Sequence, residues 1–349
     1  MKSYKKWFLT FVIFFAITCT ILMTFNYIVD PFGIFGDRFF KMYNYNMTTN
    51  LRIAKIGYLD RNYNKFDSYI IGGSKSGSFL PETADKYYPG AHFYNLNMTG
   101  GRFYDYEKTI QYIVKHYKVK NIILQISQLE ANKPGTSKGV TGMLHGKLVS
   151  DFSMPFYLKI LFQNPSFSFD KIKETAKWTP KYEADYFYNI KNGSYNRIPQ
   201  EKEIAANPET YFKKKIFFPD TETKVTDTCF DYNLEVFKRI VDFCREKKVN
   251  LLVIAAPTYK GELESYPLDK LAQFMKDIAK VTGYWNFSGY NSVNTDMKSF
   301  YDHNHFREKV GTMILARIFN DTSVKLPDDF GRYITTENAE KEINNAFHQ

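Results

Sequence analysis

Cysteine is nearly absent, at three residues in 349. Cys19 lies in a long apolar stretch. Cys229 and Cys244 flank a helical stripe formed by Leu234, Phe237, Val241 and Cys244, which predicts a helix from Phe230 to Lys247. Fifteen helical residues would separate those two positions by roughly 22 Å, well beyond the Cα limit of about 7 Å for a disulfide. The sequence therefore predicts unpaired thiols, with Cys244 in the core. No C-x-x-C pair and no His/Cys cluster occurs, and apart from His303 and His305 the six histidines are scattered. No metal site and no cofactor is expected from such a pattern. Internal repeats are also missing. Acidic residues are in deficit, with 37 against 47 basic ones, so the net charge is +10.

One long segment lacks charge altogether. Lys2, Lys5 and Lys6 precede an uncharged run from Trp7 to Val29, which ends at Asp30-Pro31. As a helix these 23 positions reach roughly 34 Å, enough to cross a hydrocarbon core of about 30 Å. The run is longer than the apolar region of a cleaved signal peptide, and no A-x-A-like site follows it. The expectation is an uncleaved signal anchor over 7–29, with 1–6 cytoplasmic by the positive-inside rule and the rest extracytoplasmic. The three lysines account for three positive units, which leaves +7 outside the span. Outside a cell an anionic envelope polymer is a better counterpart for that charge than nucleic acid.

The remainder has ordinary globular composition, 44% hydrophobic and 24% charged. Apolar runs at Asp67–Gly72, His92–Leu96, Asn121–Ile126, Asn250–Ala256 and Tyr284–Phe287 suit strands buried on both faces. Helical stripes lie between them: Ile110, Ile113, Val114 and Tyr117; Leu268, Leu271, Met275 and Ile278; Val310, Ile314 and Phe319. This alternation predicts an α/β fold with a parallel sheet and helices on both sides, functional groups lying at the carboxyl ends of the strands. Residues 129–228 break the rhythm and are rich in aromatics, including Trp178, Tyr182, Tyr186, Tyr195 and Tyr211. A structureless loop of that length is improbable, so an inserted cap is expected, its aromatics forming its own core or stacking on sugar rings. Residues 30–65 read as a membrane-proximal segment and 326–349 as a C-terminal tail, leaving 66–128 and 229–325 for the main domain.

Three short motifs carry chemistry. Gly72-Gly73-Ser74 ends the first strand, where glycines permit a sharp turn that exposes a hydroxyl. In Asp302-His303-Asn304-His305 the D-x-x-H spacing lets a carboxylate hold an imidazole Nδ1–H while Nε2 takes a serine proton. Asn97-Met98-Thr99-Gly100-Gly101-Arg102 follows the second strand, and its glycines let an N–H approach an oxyanion closely.

In this order the three motifs resemble the SGNH (GDSL-like) hydrolase superfamily, and within it the membrane-anchored extracytoplasmic branch of DltD-, AlgJ- and AlgX-like acyltransferases. The resemblance runs over about residues 66–128 and 230–320. It implies a three-layer α/β/α fold and a triad of Ser74, Asp302 and His305. The implied oxyanion donors are the N–H groups of Ser74 and of the pair Gly100 and Gly101, with the Asn97 side chain. Lys75 and Arg102 would flank the pocket and bind substrate. The implied activity is O-acyl transfer or ester hydrolysis, acetyl or D-alanyl, on an envelope polysaccharide or teichoic acid, beside a multi-span membrane O-acyltransferase. The alternative is a non-catalytic polymer-binding or scaffold protein of the same fold. The sequence departs from the pattern twice. Gly73 stands where G-D-S has aspartate, and Ile126-Ser127-Gln128-Leu129 replaces the G-x-N-D block. The third oxyanion donor is thus open among Gln125, Gln128 and Asn97.

Overall fold

The computed structural model describes residues 2–131, 140–218 and 229–347. The chain divides into two compact units: Met1–Arg61 with Ser137–Ile190, and Asn62–Thr136 with Lys191–Gln349. The interval expected as one insertion is thus shared between them. Its Trp178, Tyr182 and Tyr186 pack on one another in the first unit, while Tyr211 and Phe217 enter the core of the second.

The second unit is mixed α/β. Its six-stranded sheet has the order β2-β1-β3-β4-β5-β6. The strands are β1 (Ser68–Gly72), β2 (Phe93–Asn97), β3 (Asn121–Ile126), β4 (Asn250–Ala255), β5 (Tyr284–Asn286) and β6 (Arg332–Ile334). The first five are parallel and match the five apolar runs. β6 pairs antiparallel with β5, in a stretch expected to be a tail. Its three residues, preceded by Gly331 at φ +90, are too few for a period-2 pattern to show. The tail also holds a helix, Ala339–Phe347.

Alternation along the strands sorts the core. Ile70, Ile123 and Ile254 pack with Ala84, Val310 and Ile314 from the helices Pro81–Tyr87 and Glu308–Ile318. The helix Phe103–His116 packs on Phe230–Glu246, which also meets Leu268–Val281. Cys244 is buried in that helix and, with Cys19 and Cys229, is a free thiol. Register aligns the strand ends: Gly72 opposes Asn97, Ile126 opposes Ala255, and Ala255 opposes Asn286. β1 lies between β2 and β3, so the chain leaves the sheet in opposite directions at this point. Such a switch opens a crevice at the carboxyl ends.

The first unit contains the helix Lys2–Val29, whose stretch Tyr4–Val29 is long and apolar enough to cross a membrane. The helices Met154–Leu161 and Ser166–Thr175 pack against it. Beyond Val29 the chain turns sharply at Asp30, φ +47, whose carboxylate accepts the N–H groups of Ile34, Phe35 and Asp37 at 2.8–2.9 Å. Lys171 is wholly buried and donates to the carbonyls of Val29 and Asp30 and to Asp37 Oδ1 at 2.5 Å.

Candidate active site

β1 delivers a serine to the switch point through a turn that only small residues allow. A Cβ on Gly72 would lie 2.8 Å from Gln125 Oε1 and 2.9 Å from the Gln125 carbonyl. Ser74–Ser78 then forms a 3-10 turn, pinned by Ser76 N–H and Oγ donating to the Gly73 carbonyl at 3.1 and 2.8 Å. A helix begins only at Pro81. Ser74 Oγ sits 2.9 Å from His305 Nε2. His305 Nδ1 is 3.0 and 2.9 Å from the two Asp302 oxygens. An ionised carboxylate only accepts, so the ring proton belongs on Nδ1 and Nε2 is left to accept from the serine.

The loop that carries Asp302 and His305 is closed on itself. Phe300 and Phe306 form an antiparallel bridge, and Tyr301 N–H donates to the His305 carbonyl at 2.8 Å. Asp302 Oδ1 also accepts from the Asn304 and His305 N–H groups, each at 2.8 Å. Burial alone would push the Asp302 carboxyl up. The His305 ring and these two amides outweigh it and hold the group at about 2. Asp302 is therefore anionic at neutral pH, as an orienting partner of an imidazole must be.

Of the expected oxyanion donors, two have an N–H with no acceptor among the described residues. The Ser74 N–H opens its turn, where the first amides have no intrahelical carbonyl to bind. Gly100 has φ +61 and open space where a Cβ would be, and its N–H meets no acceptor among the described residues. Met98 N–H donates to the Gly72 carbonyl at 2.9 Å, tying this loop to the Ser74 turn. The other two donors are spent. Gly101 N–H binds the Met98 carbonyl at 2.9 Å. Asn97 Nδ2 gives its two hydrogens to Asn95 Oδ1 and the Gly193 carbonyl, both at 2.9 Å.

Neither cation expected at the pocket rim is free to reach out. Lys75 is wholly buried and donates to Gln128 Oε1, the Pro257 carbonyl and Thr258 Oγ1 at 3.1, 3.2 and 2.8 Å. Burial lowers its ammonium to about 8, although Glu262, Glu130 and Asp302 pull the other way. Arg102 binds the Gly100 and Gly101 carbonyls at 3.2 and 3.0 Å and starts the helix Phe103–His116, bracing the glycine loop from behind. Of the two glutamines left open, Gln125 and Gln128, the latter has its Oε1 held by Lys75 and by Thr258 at 2.7 Å. Its Nε2 is buried without a partner. Gln125 is buried with neither amide atom partnered.

Sequence reasoning missed the braces. Tyr195 packs where a Cβ on Gly77 would lie, and its N–H donates to the Gly77 carbonyl at 3.1 Å. Arg197 is stacked between Tyr195 and Tyr301, 5.0 and 4.9 Å from the ring centroids. Glu201 accepts from Tyr301 at 2.8 Å and grips Arg307 with both oxygens. Tyr211 donates to the Tyr301 carbonyl at 2.9 Å. Tyr195, Arg197, Glu201 and Tyr211 all lie in 191–217, and this segment thereby clamps the loop that carries Asp302 and His305. The one local signal was Asn192-Gly193, a turn dipeptide whose glycine has φ +79 and no room for a Cβ against Asn95. Beneath the turn, buried Glu130 accepts from Tyr106 at 2.6 Å and from Ser127 N–H and Oγ at 2.7 and 2.8 Å.

His303, the other histidine of the loop, takes no part. Its Nδ1 lies 2.8 Å from the Ile216 carbonyl and its Nε2 3.4 Å from Glu262. Among the described residues no group of three or more metal-ligating side chains occurs. Compared with family models and with curated proteins, the chain finds no match.

Proposed function

We propose that this protein is a membrane-anchored, extracytoplasmic serine O-acyltransferase or esterase of the SGNH (GDSL-like) type. Its substrates would be acetyl or D-alanyl esters of an envelope polysaccharide or teichoic acid. The observation that carries the reading is the hydrogen-bonded chain from Ser74 Oγ through His305 to Asp302. His305 Nε2 takes the hydroxyl proton as Ser74 Oγ attacks the acyl carbonyl, and returns it to the departing alcohol. A second hydroxyl, from a sugar, a polyol or water, then gives its proton to His305 and attacks the acyl-serine, which releases Ser74. The negative oxygen of each tetrahedral intermediate is bound by the Ser74 and Gly100 N–H groups. Gln128 is the third donor on this reading. It stands where the G-x-N-D block would place one, its amide is fixed through Oε1, and its Nε2 is unpartnered.

The parallel order of β1 to β5 supports a three-layer arrangement, with Pro81–Tyr87 and Glu308–Ile318 on one face of the sheet and Phe103–His116, Phe230–Glu246 and Leu268–Val281 on the other. The helix Lys2–Val29 serves as the anchor, with Lys2, Lys5 and Lys6 at its cytoplasmic end. A multi-span O-acyltransferase is the proposed donor-side partner, and the +7 charge outside the span suits an anionic acceptor.

A fluorophosphonate probe tests the nucleophile. Wild-type protein is expected to be labelled and Ser74→Ala is not. Absence of wild-type labelling, or equal labelling of the variant, would leave a scaffold of this fold as the better reading. Incubation with an activated acetyl ester and candidate glycans separates transfer from hydrolysis, because acyl release to water without glycan acylation argues against transfer.

A further inference from the structure

We infer that the first unit rests in the outer leaflet of the bilayer through an apolar collar at the base of its anchor helix. Val149, Phe152, Met154, Leu158, Phe162 and Phe169 are all large, apolar and exposed, Phe152 at 71% and Phe162 at 46%. Met154, Leu158 and Phe162 recur every fourth residue, so they form one stripe along the helix Met154–Leu161 and its end. A contiguous exposed patch of this kind on a water-soluble face is unusual and marks a surface that something covers.

The anchor helix identifies the cover. Lys2, Lys5 and Lys6 stay out of hydrocarbon, so the apolar core begins near Trp7. A core of about 30 Å consumes about 20 helical residues at 1.5 Å each, which sets its outer edge near Asn26. The collar is pinned at that level. Asn26 Nδ2 donates to the carbonyls of Leu161 and Gln163, one on each side of Phe162, both at 2.9 Å. Ser168 Oγ donates to Asn26 Oδ1 at 2.8 Å, and the ring of Phe169 lies 4.9 Å from that of Phe25. Asn26 itself is buried. Its polar side chain is thus satisfied by backbone and hydroxyl groups at the depth where lipid ends, while Phe162 and Phe169 face outward at the same depth. Apolar side chains held there lie among acyl chains and headgroups, as the buried face of an interfacial helix does. The occupant is therefore the bilayer itself, continuous with the surface that covers the anchor.

The inference rests on the anchor reading, so its test separates the two. Full-length protein carrying Cys19→Ser and Cys229→Ser is labelled with an environment-sensitive dye at a single new cysteine: Phe14→Cys, Phe152→Cys, Phe162→Cys or Lys341→Cys. Cys244 stays silent because burial pushes its thiol up to about 12. In vesicles of phosphatidylcholine and phosphatidylglycerol, the labels at 152 and 162 should lose several-fold more fluorescence to a shallow spin-labelled lipid than the label at 341, and several-fold less to aqueous iodide. If the label at 14 is lipid-quenched while 152 and 162 respond to iodide like 341, the collar is overturned and the anchor stands. A label at 14 open to iodide overturns both. Labels at 152 and 162 that are open in lipid vesicles but shielded in native membranes assign the patch to a protein partner and overturn the bilayer as its cover.

Discussion

Both units bury lysine side chains, Lys55 and Lys171 in the first and Lys75 in the second, and Lys171 and Lys75 are held by different chemistry. In the first unit Lys171 meets a carboxylate, Asp37, and two carbonyls at the point where the chain leaves the anchor helix. Charge is neutralised on the spot, and the pair fixes a backbone turn. In the α/β unit Lys75 meets only neutral oxygens, and it follows directly after Ser74. Its charge is left to act at a distance and its hydrogen bonds orient Gln128. The paired buried Lys171 serves architecture; Lys75, held by neutral groups beside Ser74, serves geometry and field.

The comparison breaks first on activity. Ser74→Ala or His305→Ala should reduce hydrolysis of an activated ester by about 10⁶-fold, and Asp302→Asn by about 10⁴-fold through loss of the correct tautomer. Circular dichroism should find all three folded, because Asp302 and His305 are only part-buried and Ser74→Ala removes a single hydroxyl. Lys171→Met comes next. It strands a buried Asp37, and removal of one partner of a buried pair costs about 3–5 kcal/mol, read as a lower urea midpoint for the first unit. Initial labelling of Ser74 by a fluorophosphonate should not change at low temperature. A fall in labelling equal to that of a triad variant would erase the distinction between the two lysines.

Lys75→Met should show the opposite profile. It frees Gln128, and loss of this proposed oxyanion donor should cost about 10²-fold in turnover. Its stability change should be smaller than that of Lys171→Met, since no unpaired charge is left behind. Gln128→Leu should reproduce the rate loss without the pH signature that follows.

The smallest effects are in pH. The Lys75 group is lowered by burial from 10.5 to about 8. Between those values the unfolded chain binds a proton that the folded chain lacks, so this group makes stability rise with pH across that window. The rise should vanish in Lys75→Met when urea midpoints are compared. Asp302 has the acid counterpart. Its carboxyl is held at about 2 against an ordinary 3.8, so its contribution is full above 3.8 and is lost as pH falls towards 2. The loss amounts to about 2 kcal/mol, and Asp302→Asn should show none of it.

The same contrast explains what could be read in advance. The five parallel strands were legible because β1 to β5 are short apolar runs, and the meeting of Ser74, Asp302 and His305 because one follows a strand end and the other two share a D-x-x-H spacing. Local pattern carries such information. β6 was not legible, having three residues and one buried side chain. Nor were the partners of Lys75, since Gln128 and Thr258 come from the ends of two other strands and no periodicity links them. The first unit was hardest. Asn26, Asp30 and Asp37 find Ser168 and Lys171 across more than 130 residues, through single polar contacts that leave no repeat in the sequence. Asn97 looked like an oxyanion donor until Gly193 supplied the carbonyl that occupies it.

The central claim is that Ser74 Oγ forms an ester with the acyl group in transit. Full-length protein incubated briefly with an activated acetyl ester, quenched in acid and digested, gives a direct reading by peptide mass spectrometry. The account predicts acetyl on the peptide containing Ser74, assigned to that residue, and none on the same peptide from Ser74→Ala or His305→Ala. Acetyl absent from Ser74 while the ester is consumed, or present equally in the His305→Ala protein, would contradict it.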